Sequence, residues 1–549
     1  MCGVLGGNIF NDIGEVENGL TSMFHRGTDG NTIFEFKTGD GYMYMTHNRL
    51  SIQDLTESAN QPLISSDGRY YLAFNGELWK STFDKFDESL RKKYNFKTDK
   101  SDSELLLYFL IEYKDNLKKM LNELEGMFSF AFYDKDEDNL ILGRDFIGRL
   151  PLYYYHDGQY IAFSSEVKGL TTSLGLSYYN IDKGSKFNSD YKSKEVIEIV
   201  QPGTYITYNK LGVLNEVRYF DFKVTPFDSN NLDCYYPNTD EELSEFEGED
   251  MGIEYYAKEF RKYLEEAVED ELISDVPVCT ILSGGIDSTV ITYLLSKKIP
   301  NIESFVVNVI SDKNLKRKDD LYYARIAAKE FGIKLNEVNI TKNDVESYLE
   351  ESIWASETHK WTQVSPSVAQ LFLSWEIRDK GYKVVFGGEG SDEIFASYGD
   401  VFRFCWPVPL DYHKRRVNLL NNLHKTNLIR TNKAMMYGGK VELRTPFLNK
   451  KLIDFGLRIP TKYRDENGGS GKIMKYVLRK AFEGEISDEL LWRPKKTFQV
   501  GAHTDYLKKE KDRLESIFEK LFVNGNVPER YIKRQIGHNT SRIRTISIG

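Results

Sequence analysis

A cysteine stands directly behind the initiator methionine, and that placement alone suggests a reaction. If Met1 is removed, Cys2 carries both a thiol and a free α-amine. The amine titrates near neutrality, so it can take the thiol proton itself or through a water. One residue then supplies nucleophile and base. Four polar segments follow: HRGTDG at 25–30, HNRLSIQD at 47–54, FNGEL at 74–78 and KSDSE at 100–104. Arg49 is expected at a strand end, Asn75 and Gly76 in a tight turn, and Asp102 at the start of a helix. An enzyme that forms a thioester from glutamine needs a cation for the α-carboxylate, anions for the α-ammonium and neutral donors for the tetrahedral oxyanion. Arg49, then Glu77 with Asp102, then Asn75 with the Gly76 amide have the chemistry for those three tasks. Taken singly, each is more often a surface turn or a helix cap.

A second constellation lies in the other half. VPVCTIL (276–282) has the apolar run of a buried strand, and SGGIDS (283–288) follows it before a helix. Gly284 and Gly285 let the backbone turn sharply and present N–H groups at a helix start, a setting suited to anions. Ser283 and Ser288 add hydroxyls. Asp287 suits a phosphate site only if a divalent cation bridges it to the phosphates. No GxxxxGK[ST] loop is present, which argues against simple γ-phosphate transfer. GGEGSDEIF (387–395) repeats the logic at another strand end. Gly387 and Gly388 would admit an adenosine closely, and Glu389 and Asp392 are candidate magnesium or phosphate residues. Lys475, in GKIMKYVLRKAF (471–482), is expected on a helix, where it could neutralise charge building on a leaving pyrophosphate.

The order CGVLG, HRGTDG, HNRLSIQD, FNGEL, SDSE resembles the class II glutamine amidotransferase domain, of the N-terminal nucleophile fold. SGGIDS resembles the loop of enzymes that split ATP into AMP and pyrophosphate. With the segments at 387–395, 430–455, 471–482 and 492–498, the second half is similar to the synthetase domain of glutamine-hydrolysing asparagine synthetases. The resemblance implies Cys2 as nucleophile and Asn75 and Gly76 as oxyanion donors. It implies Arg49, Leu50, Ser51, Ile52 and Gln53, with Asn75, Gly76, Glu77 and Asp102, around glutamine. It further implies Leu282, Val307, Gly387 and Gly388, with the 283–288 loop, around ATP, Lys475 as catalytic lysine, and Glu357 in amide transfer. Mg2+ would sit on Asp287 and Asp392. Ammonia would pass through an interior channel, shielded from bulk water, to an acyl-adenylate of aspartate.

The match departs in places. Where the family reads much like ETYDxTTIRASTP, this chain has ETHKWTQVSPS (357–367), so Lys360 replaces an aspartate and Ser365 an arginine. Losing an arginine from a site for a dicarboxylate matters. That change favours an alternative acceptor acid with the same chemistry. The 308–321 segment adds Lys313, Lys316, Arg317 and Lys318, and Asn449 replaces a usual aspartate.

The elements that must position these residues follow from patterning. Residues 2–220 read as short alternating strands with few helices, an α+β domain; 102–113 is one helix. Residues 221–250 are polar and acidic and read as a linker. Residues 251–525 alternate strand and helix, which implies an α/β domain whose parallel sheet binds ligands at strand ends. Residues 526–549 read as a basic, solvated tail. The chain has 549 residues and a net charge of −10, so no basic field invites nucleic acid. Its four cysteines form no CxxC pair, no signal peptide opens the chain, and no run of about 18 apolar residues suits a membrane. A cytoplasmic enzyme with room for a homodimer is expected.

Overall fold

In the computed structural model the described residues are 1–38, 41–176, 197–222, 239–310, 319–398, 409–467, 473–493, 505–523 and 543–548. The first half contains two antiparallel sheets, face to face. Strand Tyr70–Leu78 shows why the polarity alternation fades there: all nine residues are buried. Tyr71 and Ala73 enter the layer between the sheets, with Val4, Phe36 and Tyr133. Leu72 and Phe74 point the other way, onto helices Lys80–Arg91 and Asp102–Tyr113 through Phe86, Leu105 and Phe109. On the opposite flank, helices Ile13–Ser22 and Val167–Leu174 cover strand Gly3–Gly7. The layers therefore run helix, sheet, sheet, helix.

Two expectations change here. The 221–250 stretch is not all linker, because Asp240–Glu247 is a helix with Leu243 and Phe246 buried. Thr239 and Glu242 form a capping box at its start, a signal present in the sequence. The basic tail also contributes structure: Arg544–Ile548 pairs in parallel with Gly30–Thr38 at a sheet edge. The rest of that tail and the lysine-rich 311–318 segment lie outside the described residues.

The second half is built on a parallel sheet. In spatial order its strands are Lys334–Thr341, Glu303–Ile310, Val278–Ile281, Val384–Phe386 and Glu442–Arg444. The order reverses direction between Val278–Ile281 and Val384–Phe386. In such sheets the crevice outside the carboxyl ends at that reversal receives the ligand. SGGIDS and GGEGSDE follow those two strands. Two short helices, Lys342–Ser347 and Leu349–Ser356, meet at Tyr348. Among the described residues, no helix is long and apolar enough to cross a membrane.

Candidate active site

Cys2 precedes strand Gly3–Gly7, whose antiparallel pairing with Gly41–Arg49 brings the thiol against Leu50. The Leu50 N–H reaches Sγ at 3.4 Å, and Sγ lies 3.8 Å from the Leu50 carbonyl. The Cys2 N–H donates to Asn75 Oδ1 at 2.7 Å, and the Cys2 carbonyl accepts from Arg26 Nε at 2.7 Å. Burial pushes the thiol up, while the chain-terminal ammonium and the Leu50 amide pull it back. The cysteine is thus fixed on both sides by its backbone, with only the sulfur left to react.

Asn75 and Gly76 lie inside strand Tyr70–Leu78, not in a tight turn. Gly76 is demanded by close approach: a Cβ there would stand 2.2 Å from the Met127 carbonyl of the neighbouring strand. Asn75 Nδ2 donates to Ser129 Oγ at 3.3 Å, a long bond easily exchanged for a better acceptor. Arg49 uses its guanidinium on its own loop, on the Asp54 carbonyl, the Thr56 carbonyl at 2.7 Å and Asn60 Oδ1 at 2.8 Å. It thereby holds the segment that carries Leu50, Ser51, Ile52 and Gln53. Ser51 N–H is fastened to Asp29 at 2.8 Å, the Ile52 carbonyl accepts from Asp275 N–H, and Gln53 donates to Glu77.

Glu77 and Asp102 are buried next to one another. Burial, with Glu442 and Asp102 nearby, holds the Glu77 carboxyl well above its usual range. Burial pushes Asp102 to about 6, against hydrogen bonds from Leu78 and Ser103 that favour its charge. A carboxylate that is to bind an ammonium must be ionised, and Asp102 loses its charge as pH falls through about 6. The kcat/KM for glutamine hydrolysis should therefore drop about tenfold per pH unit below 6. A flat profile from pH 7 to 5 would contradict the assignment of Asp102.

In the second half, Ser283, Gly284, Gly285 and Ser288 form a tight loop. Ser288 Oγ bonds the Ser283 amide at 3.1 Å and the Gly285 carbonyl at 3.1 Å. Gly284 has φ +69°, and a Cβ on it would meet the Ala324 amide at 2.7 Å, so only glycine fits. Leu282 N–H is tied to the Phe305 carbonyl, two residues from Val307 on the same strand. Gly388 packs on the loop: its Cβ would stand 2.7 Å from Asp287 Cβ and 2.8 Å from Ser288 N. The two glycine segments are therefore parts of one site.

Lys475 is not on a helix. It precedes helix Tyr476–Lys480 with φ +61°, a left-handed conformation costing a lysine about 1 kcal/mol. Its buried ammonium lies 2.6 Å from both Asp287 oxygens and 2.6 Å from Asp392 Oδ1. Burial alone would push that ammonium down, but the two carboxylates carry it above its ordinary value. Glu389 projects a buried Oε2 with no hydrogen-bond partner, against a Gly387 that leaves it room.

Glu357 sits at the domain boundary. It too has a left-handed backbone, φ +54°. Its carboxylate accepts from the Val167 and Lys168 amides at 3.2 and 2.8 Å and pairs with Lys168 at 3.3 Å and with Lys433. Burial raises its carboxyl, and the two ammoniums overcome that and lower it. The partner Lys168 also meets Glu166, which binds Arg26, the residue holding the Cys2 carbonyl. Ser365 is fully buried in helix Trp361–Asp379, with Lys360 at its start. Asn449 replaces an aspartate without losing a cap: Oδ1 accepts from Lys451 and Leu452.

Two family models match in chain order: a glutamine amidotransferase domain over residues 1–220 and asparagine synthase over 259–540. The chain is 30% identical over 501 residues to the glutamine-hydrolysing asparagine synthetase B of Escherichia coli, spanning 87% of this chain and 78% of that protein. The chain belongs to the glutamine-hydrolysing asparagine synthetase family. It is 29% identical over 547 residues to a probable asparagine synthetase of Dictyostelium discoideum, spanning 94% of this chain and 87% of that one. A probable asparagine synthetase of Schizosaccharomyces pombe is 29% identical over 518 residues, spanning 89% and 82%. As a member of this family, the protein is an ATP-dependent carbon–nitrogen ligase with glutamine as amido donor, a glutamine amidotransferase domain joined to an asparagine synthase domain.

Sequence reasoning passed over Arg26, Lys168, Glu442 and Arg444. Arg26 lies in HRGTDG, so that motif was visible although its role was not. Glu442 and Arg444 lie in the 430–455 segment, but a three-residue strand, ELR, is too short to display the period that would give either side chain a direction.

Proposed function

We propose that the protein makes asparagine from aspartate, with nitrogen taken from glutamine. After removal of Met1, the Cys2 amine accepts the thiol proton, and the thiolate attacks the glutamine carboxamide carbon. Asn75 and Gly76 stabilise the oxyanion, ammonia leaves, and water hydrolyses the thioester to glutamate. In the other half the aspartate side-chain carboxylate attacks the α-phosphorus of ATP, and pyrophosphate departs. Lys475 and the 283–288 loop neutralise charge on the departing phosphates. Ammonia then attacks the acyl carbon, and AMP leaves. The observation carrying this reading is that strand Glu442–Arg444 serves both halves: the Arg444 carbonyl accepts from the Gly387 amide at 2.9 Å, while its guanidinium reaches Glu77.

Asp287 and Asp392 would hold Mg2+. Their carboxylates are partly open, 22% and 25% exposed, and supply the hard oxygen donors that Mg2+ takes. A third protein ligand is absent among the described residues, so phosphate oxygens and water would complete the shell. When bound, the ion neutralises phosphate charge. Aspartate is favoured as acceptor by the names of the relatives, despite Ser365.

Incubation with glutamine, aspartate and Mg-ATP should yield asparagine, AMP and pyrophosphate in equal amounts; pyrophosphate released only with another acid would overturn the choice of aspartate. A second test addresses processing. An uncleavable N-terminal extension should abolish glutamine use while synthesis from ammonium continues. Full glutamine activity in the extended protein, verified by intact mass, would refute the amine's role.

A further inference from the structure

The glutamine side of the molecule contains more buried negative charge than its own domain explains. Glu77 and Asp102 come from the glutaminase domain. Facing them is Glu442, fully buried, from the edge strand of the synthetase's parallel sheet. Glu442 raises both Glu77 and Asp102 through space, and Asp102 raises Glu77. The cation beside them is Arg444, with Nε on Glu442 at 3.0 Å and Nη2 at 3.8 Å from Glu77. One guanidinium against three buried carboxylates leaves the site short of positive charge, and burying such charges without partners is costly.

Two observations show what fills the deficit. First, an ammonium is held there: the α-ammonium of Met1 lies 2.6 Å from Glu442 Oε2, both groups fully buried. In the unprocessed chain this group stands in for the ammonium of a ligand, and it leaves when Met1 is removed. Second, Arg444 Nη2 is buried without a hydrogen-bond partner. The occupant therefore brings an acceptor as well as an ammonium, as an α-amino acid does. Arg49 directs Nη1 and Nη2 at its own loop.

We propose that Glu442, delivered by the synthetase domain, is the third carboxylate of the pocket that binds the α-ammonium of glutamine, with Arg444 beside it as a donor to the same amino acid. The inference rests on glutamine being the ligand at Cys2. It makes the glutaminase complete only when the two domains are docked, because the strand that closes its pocket is also the strand bonded to Gly387 of the ATP site.

The test varies protein and ligand together. Wild-type protein lacking Met1 and a Glu442→Gln variant are given glutamine or 4-carbamoylbutanoate, which has the carboxamide but no α-amine. The ratio of kcat/KM for the two compounds reports recognition of the amine, and a purely structural role for Glu442 would leave it unmoved. Wild type should prefer glutamine by at least about 100-fold, and Glu442→Gln should reduce that preference at least tenfold, chiefly through KM. An unchanged preference in the variant, or none in wild type, would overturn the proposal. If Glu442→Gln does not fold, Glu442→Asp withdraws the carboxylate while keeping its charge; it should reduce the preference by a smaller factor, and no reduction would again overturn it. Should wild type fail to hydrolyse glutamine, the reading of Cys2 falls instead. Calorimetric binding of the two compounds to Cys2→Ala and to Cys2→Ala/Glu442→Gln then decides Glu442 by the same ratio.

Discussion

Glutamine-dependent synthesis by a Cys2→Ala protein is expected to fall at least about 10³-fold, the scale on which loss of a covalent nucleophile is felt. Synthesis from ammonium salts should stay within about threefold of wild type. The expectation rests on where Cys2 is held. Its N–H and carbonyl are bound by Asn75 and Arg26, and neither bond involves the sulfur. The backbone therefore keeps its place when the thiol is removed, at a cost on the order of 1 kcal/mol. No contact joins the thiol to the 283–288 loop or to Lys475, so the ATP chemistry loses nothing directly. Product and pyrophosphate are measured with either nitrogen source at mildly alkaline pH, where more ammonium is present as ammonia. Loss of both activities in a folded variant would refute the division of labour between the halves.

How much of this was legible beforehand differs between the halves for a physical reason. The proposed ATP site is made of residues close in sequence to strand ends. An apolar run followed by SGGIDS announces both the strand and the turn, and the observed strand Val278–Ile281 and helix Ile286–Lys298 follow that pattern. Helix Asp102–Tyr113 occupies the residues expected of it. Asn75 and Gly76 were misread as a turn because asparagine next to glycine is a strong turn signal. Here it is overridden by pairing with Gly126–Asp134 and burial on both faces. Lys475 was misplaced on a helix because a sequence does not display a left-handed backbone at a lysine; the surrounding structure imposes it. Glu442 and Glu357 owe their surroundings to residues from the other domain, and such contacts leave no trace in local patterning.

Replacing Lys475 with methionine is expected to reduce pyrophosphate release at least about 10³-fold with glutamine or ammonium, while glutamine hydrolysis stays within about threefold. The ammonium is the only cation bonded to both Asp287 and Asp392 among the described residues, at 2.6 Å from each. Without it, the Mg2+ that Asp287 and Asp392 would hold is left to balance two carboxylates and the triphosphate alone, so the site holds the leaving charge less well. Removing one preorganised charge of this kind costs about 10²–10³ in rate, and the less balanced carboxylates add to that loss. Their partial exposure limits the damage to the fold, since water screens them. The melting temperature should therefore change far less than the rate. Arginine should not rescue the activity: a planar guanidinium cannot occupy the compact position of the ammonium, held by a φ of +61° between the Arg464 carbonyl and the Arg479 amide. Because the two carboxylates hold the lysine's pKa above its ordinary value, it stays charged throughout the neutral range. The pH profile of ammonium-driven synthesis should then show no fall attributable to Lys475 until well into alkali. Substantial pyrophosphate release by Lys475→Met would show that the charge is supplied by another group, with Arg430 and Arg479, both buried and held near 10 by desolvation, as the first to examine.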